Sequence, residues 1–174
     1  MGKVKGFTLV ELLVVAVVLA IFAAIVVPQF ASTTDEAKLS ALKSDLSGIR
    51  GAIDLYRQQH SGYPGAVAAT GATCPGGGTA GTGAINTAAA FTSQMTLYTN
   101  AAGQACTTTN ATFKYGPYVK ADAIPANAIT GISTISMVSA GNLTMTGAAI
   151  PGAGWKYDYV IGKFIADHVD YDDL

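Results

Sequence analysis

Charge is scarce in this 174-residue chain, and so are the side chains that hold metals. Only 12% of residues are charged, with ten basic against eleven acidic side chains. A balance so near neutral lacks the basic surface that general nucleic-acid binding requires. The two histidines, His60 and His168, stand at no metal-ligand spacing from each other or from the two cysteines. No serine or threonine sits in a nucleophile motif. There is no haem-attachment motif, and an aromatic fraction of 9% with one tryptophan gives no reason to expect electron transfer. A formal G-x-G-x-x-G occurs at Gly76, Gly78 and Gly81, but no strand precedes it and no helix follows. Ala101 stands near the place where a ribose-binding acid belongs, and no Lys-Ser/Thr pair follows for a phosphate loop. An enzymatic reading therefore finds little support.

What the chain does have is one long apolar run. From Phe7 to Val27 only Thr8 and Glu11 are polar, and from Leu12 to Val27 nothing is. As a helix, such a run is long enough for the roughly 30 Å hydrocarbon core of a bilayer. Lys3 and Lys5 ahead of it hold the N-terminus on the cytoplasmic side. Glu11 is the anomaly, because an acid there costs on the order of 3 kcal/mol on membrane insertion. Cutting the chain between Gly6 and Phe7 would create a free amine four residues before Glu11. Within one helix that amine points away, but a neighbouring copy shifted along the axis places its Glu11 beside it. Each charge would then neutralise the other and set the register of assembly. A secretory signal fits poorly, since Ala24 has Phe22 two residues before it and Ala31 has Gln29. A plain single-pass anchor fits the length but explains neither Glu11 nor the Gly6-Phe7 junction.

MGKVKG followed by FTLVELLVV resembles the class III signal peptide of the type IV pilin superfamily, which includes pilins and type II secretion pseudopilins. The resemblance is strongest over about the first 64 residues. It implies cleavage after Gly6 by a prepilin peptidase, N-methylation of Phe7, and Glu11 as the assembly carboxylate. The resulting division is a leader at 1–6, a transmembrane and filament-core helix at 7–28, and an exported pilin-like domain at 29–174. Ala20 departs from the pattern, standing where many relatives carry a helix-loosening glycine eight residues before the proline. The segment IDLYRQQHSGYP (Ile53 to Pro64) and GPYVK followed by IP resemble the major pseudopilin branch. The resemblance also implies partners: further copies of the chain, minor pilins or pseudopilins, the peptidase and N-methyltransferase, an inner-membrane platform with its ATPase, and lipid before assembly.

Loss of Met1–Gly6 removes Lys3 and Lys5, leaving eight basic and eleven acidic side chains and a formal charge of −3. In an exported domain Cys74 and Cys106 read most simply as one disulfide, with two unpaired thiols as the alternative.

The fold expected is α+β: a long N-terminal helix, membrane-spanning in its first half, packed against a small antiparallel sheet. The helix runs from Phe7 to about His60 with a kink favoured at Pro28. Leu39, Leu42, Leu46, Ile49, Ile53 and Tyr56 recur at spacings of three and four, one apolar face. That face suits its own domain better than a coiled-coil partner, and Arg50 is placed to pair with Asp54. Gly65 to Gly83 reads as a loop. Asn86 caps a short helix through Tyr98, with Ala88, Phe91, Met95 and Tyr98 on one face. Thr134–Val138 with Leu143–Thr146 reads as one hairpin, and Trp155–Val160 with Lys163–Ala166 as a second. Trp155, Tyr157 and Tyr159 share one sheet face.

Asp167, Asp170, Asp172 and Asp173 crowd the last eight residues. They form a candidate calcium site or a solvated acidic tail. Asn110-Ala111-Thr112 and Asn142-Leu143-Thr144 match the N-glycosylation pattern, which carries little weight in a bacterial-type exported protein. The function expected is that of a structural filament subunit, closest to a type II secretion pseudopilus subunit. The alternatives are a type IV pilin for adhesion, motility or DNA uptake, and a monomeric membrane-anchored binding domain.

Overall fold

A computed structural model describes residues 6–120 and 122–174, with the backbone alone for 25–33. Its first helix, α1 (Leu9–Gln59), is assigned without interruption through position 28. The chain divides into two compact units, Met1–Ser40 and Ala41–Leu174.

In the first unit the apolar side chains of α1 face outward: Leu9 is 80% exposed, Leu13 58% and Phe22 60%. Among the described residues no helix is long and apolar enough to cross a membrane. The span expected from Phe7 to Val27 is described with side chains only as far as Ala24. Its remaining side chains lie outside the described residues, as does the leader segment 1–5.

The second unit is built on the three-and-four spacing. Leu42, Leu46, Ile49, Ile53 and Tyr56 are each 3% exposed or less, while Leu39 is half-buried. Each such side chain contributes about 1.5–3 kcal/mol by leaving water. They form one core with Phe91, Met95, Trp155, Tyr157 and Phe164. Gly62 and Pro64 follow the helix end, as punctuation of that kind predicts.

Helix α2 (Ala88–Thr96) starts one residue later than the sequence suggests. Asn86 has φ +58°, and Thr87 is the cap, its Oγ1 accepting from the Ala90 amide at 3.2 Å. Tyr98 has left the helix and opens strand β1 (Tyr98–Thr99), which pairs antiparallel with β2 (Ala105–Cys106). Phe91 and Met95 are buried, the docking role their spacing implied.

The main sheet has the order β3 (Ile135–Val138), β4 (Trp155–Asp158), β5 (Lys163–Ala166). Strands β4 and β5 form the expected antiparallel hairpin, with Tyr157 opposite Phe164. Trp155 and Tyr157 are fully buried on one face, and Tyr159 lies just beyond the strand, half-buried.

The first expected hairpin does not form. Leu143–Thr146 is not a strand, and β3 pairs parallel with β4, Ile135 opposite Trp155. Parallel neighbours need a crossover of a dozen or more residues, and the segment between Val138 and Trp155 supplies it. It has no helix or strand of its own, so its backbone polar groups must find partners elsewhere.

Charged side chains provide them. Asp158, fully buried, accepts from the amides of Gly141 at 2.7 Å, Asn142 at 3.3 Å and Val160 at 2.9 Å. Lys163 donates to the carbonyls of Leu143 and Met145, and Lys156 to that of Thr146. Asp167 accepts from Ala148 and Asp172 from Gly147. Arg50 likewise turns to a backbone group: its Nε donates to the Phe164 carbonyl at 2.9 Å, and no ion pair with Asp54 forms.

Candidate assembly site

The N-terminus of α1 is closed by its own side chains. Thr8 precedes the first helical residue, Leu9, and Glu11 stands three positions after Thr8. One Glu11 oxygen, Oε2, accepts from the Thr8 amide and from the Thr8 hydroxyl, both at 2.8 Å. The Thr8 hydroxyl accepts in turn from the Glu11 amide at 3.3 Å. This is a capping box: a threonine cap and an acid three residues on satisfy each other's backbone donors. The T-x-x-E spacing of Thr8 and Glu11 is the sequence signal for this box, beyond the lone acid that hydropathy alone picks out. The consequence is chemical as well as structural. Two donors fix the orientation of the Glu11 carboxylate, and the acid is partly satisfied within its own chain.

Around this acid the surface is apolar and open. Phe7 is 78% exposed, Val10 68% and Leu12 60%. Gly6 is exposed too, and a Cβ built on it meets nothing within 4 Å. The Gly6-Phe7 junction is therefore accessible along the chain. The structure brings Gly6, Phe7, Thr8 and Glu11 into one short segment, with no second charged group of the described residues paired to Glu11.

The remaining predicted residues lie elsewhere. Cys74 and Cys106 form a disulfide with Cα atoms 5.7 Å apart and a sequence separation of 32. It joins the glycine-rich loop, with its short 3-10 turn at Pro75–Gly77, to strand β2.

Only two of the four C-terminal aspartates meet, on adjacent amides of the crossover. Asp167 and Asp172 are held on the backbone amides of residues 148 and 147, while Asp170 and Asp173 are exposed. Among the described residues no group of three or more His, Cys, Asp or Glu is placed to hold a metal ion. The calcium expectation finds no support in this arrangement. Amides of the crossover take the carboxylates, and its carbonyls already face the ammonium groups of Lys156 and Lys163. Sequence counting found the acids but missed these two lysines, for which it offers no local signal.

Comparison with known proteins places the segment. Residues 1–27 match the model of the prokaryotic N-terminal methylation motif, so the chain carries that motif at its N-terminus. The chain is similar to type II secretion system core protein G from several bacteria. It is 48% identical to that of Pseudomonas aeruginosa over 60 residues, which is 34% of this chain and 42% of the relative. Identity is 39% over 64 residues for Klebsiella pneumoniae, covering 37% of this chain and 46% of the relative. For Vibrio cholerae it is 38% over 64 residues, 37% of this chain and 44% of the relative. The match spans less than half the length of these relatives. No solved structure matches the chain.

Proposed function

We propose that the chain is a structural subunit of a type IV-pilus-like filament, most closely a pseudopilus subunit of type II secretion. The observation that carries this reading is an acid held at the head of an exposed apolar helix, one turn after an accessible Gly6-Phe7 bond, inside a methylation motif. The motif implies membrane anchoring. On this reading the precursor sits in the bacterial inner membrane with its C-terminal unit in the periplasm. A prepilin peptidase removes residues 1–6 and Phe7 is methylated. The anchors then leave lipid for the filament core, driven by a platform and its ATPase. Minor pseudopilins are the other protein partners, and no cofactor is required.

Glu11 then acts twice. In the free subunit Thr8 satisfies it; in the filament the Phe7 amine of another copy does so as well. Replacing Glu11 with Ala is expected to leave an inserted subunit that assembles poorly, scored by sedimentable fibres and by crosslinking between positions near Phe7 and Glu11. Normal fibre yield from that variant would defeat the charge-pairing account. Deletion of the gene separates the branches: lost release of extracellular enzymes supports the secretion reading. Lost surface fibres with secretion intact would transfer the chain to the pilus branch. Recovery of the native protein only as solitary molecules would favour a monomeric anchored binding domain.

A further inference from the structure

The sheet edges of the Ala41–Leu174 unit are treated unequally. Strand β1 is met by Tyr115, which bridges to Thr99, and β2 by Ala80, which bridges to Cys106. At β5 the Phe164 carbonyl is taken by Arg50 Nε at 2.9 Å. Edge strands left open pair readily with other chains, so folded proteins usually cover them. The outer edge of β3 has no such cover.

The parallel register says which of its groups face outward. Ile135 stands opposite Trp155, and the Trp155 amide donates to the Thr134 carbonyl at 3.1 Å. In a parallel ladder the bonds to one neighbour come from alternate residues of the strand. Thr134, Ser136 and Val138 therefore turn main-chain groups to β4, and Ile135 and Met137 turn theirs the other way. Among the described residues the amides and carbonyls of Ile135 and Met137 have no hydrogen-bond partner.

A groove of about 540 Å³ lies between α2 and the start of β3. Ala88, Ala89 and Thr92 form one wall, and Ser133, Thr134 and Ile135 the other. Methyl groups and hydroxyls face the space, and no charged side chain of the described residues lines it. Ala89, Ser133 and Thr134 are exposed, and Met137 is half-buried.

We infer that this edge is a docking site for an extended, uncharged peptide segment of another protein, which adds as a strand beside β3. Its main chain would pair with the outward groups of Ile135 and Met137, whose two-residue repeat is that of a strand. Its side chains would be small, because the alanines of α2 stand close on the other side. A charged segment would meet no counter-ion in the groove. This inference is independent of filament assembly and concerns the Ala41–Leu174 unit alone.

The test uses the full chain in detergent with a capped peptide, acetyl-Thr-Ala-Val-Ala-Thr-Ala-amide, and follows the amides of Ile135 and Met137. At saturation their hydrogen exchange is expected to slow by about tenfold or more, as newly paired amides do. The same peptide methylated at every amide nitrogen keeps its side chains but loses its donors, and should give no response. Ala89→Leu, at an exposed position on the wall of the groove, should abolish the response to the parent peptide while leaving the amide spectrum of the core unchanged. Equal response to the methylated and parent peptides would overturn the assignment, since the main chain would then play no part. So would a response that survives Ala89→Leu, or none at millimolar peptide. Slowed exchange on raising the protein concentration without peptide would overturn it too, giving the edge to a second copy of the chain.

Discussion

One helix carries the same kinds of residue in two opposite circumstances. From Leu9 to Phe22 its large apolar side chains are 43–80% exposed; from Leu42 to Tyr56 those on the stripe are 3% or less. In the second stretch the apolar residues recur every three or four positions and charged residues fill the gaps, so only one face needs cover. In the first stretch Glu11 is the single polar residue, so no polar face stands opposite the apolar one. A helix apolar all round finds its solvent outside its own chain. The difference shows that hydrophobicity alone does not assign a role within one helix; the presence or absence of an opposite polar face does.

The sharpest way to break that comparison is to make one substitution in both places. Leu46→Ala is expected to destabilise the Ala41–Leu174 unit by about 2–5 kcal/mol, the cost of a cavity in a packed core. Leu13→Ala should change the same unfolding midpoint by less than about 0.5 kcal/mol. Denaturant melts of the two variants in detergent, followed by Trp155 fluorescence, measure both; comparable losses would erase the distinction. Next in size is the disulfide. Replacing Cys74 and Cys106 with Ser is expected to cost about 3–4 kcal/mol in the chain-entropy model, again confined to the second unit. Asp158→Ala follows, at about 1–3 kcal/mol, because it leaves three backbone amides without their acceptor. Hydrogen exchange at Gly141 and Asn142 should rise in this variant while exchange in α2 stays unchanged.

The smallest expected effect is one of pH. Burial holds the His60 imidazole below its ordinary value of 6.5, outweighing the carbonyls of Tyr56 and Asn100 that favour its charged form. The unfolded chain therefore takes up the proton first. Stability is fully present above about pH 6.5 and declines as the pH falls from there toward the folded value. Comparing His60 with a His60→Gln variant at pH 7.5 and 5.5 isolates this contribution. A wild-type midpoint that falls no more than that of the variant would remove it. Glu11 lies outside the buried core, so its substitution should leave these midpoints alone while reducing assembly.

What could be read from sequence followed from local periodicity. The stripe of α1, the β4–β5 hairpin and the docking face of α2 each rest on spacings within a dozen or so residues. The Cys74–Cys106 pair needed only the expectation of an oxidising compartment. The β3–β4 pairing was illegible because it joins strands across a crossover of irregular backbone, and the Gly141-Asn142 pair imitates a tight turn. The aspartates misled for a related reason: their number is in the sequence, but the amides that claim Asp167 and Asp172 come from a segment some twenty residues earlier. The capping box is legible as well, in the threonine that stands three residues before Glu11.

The crossover between β3 and β4 is held at its main chain, by ammonium and carboxylate groups rooted mostly in the neighbouring strands and tail. Its outermost side chains are left without structural duty, Leu143 being 77% exposed and Ile150 89%, whereas Met145 and Ala153 are buried. Such a segment behaves like a typeface block, rigid in outline and free in lettering. Short foreign epitopes written over its outward positions should be displayed in a fixed shape, and repeated along a fibre wherever the chain polymerises.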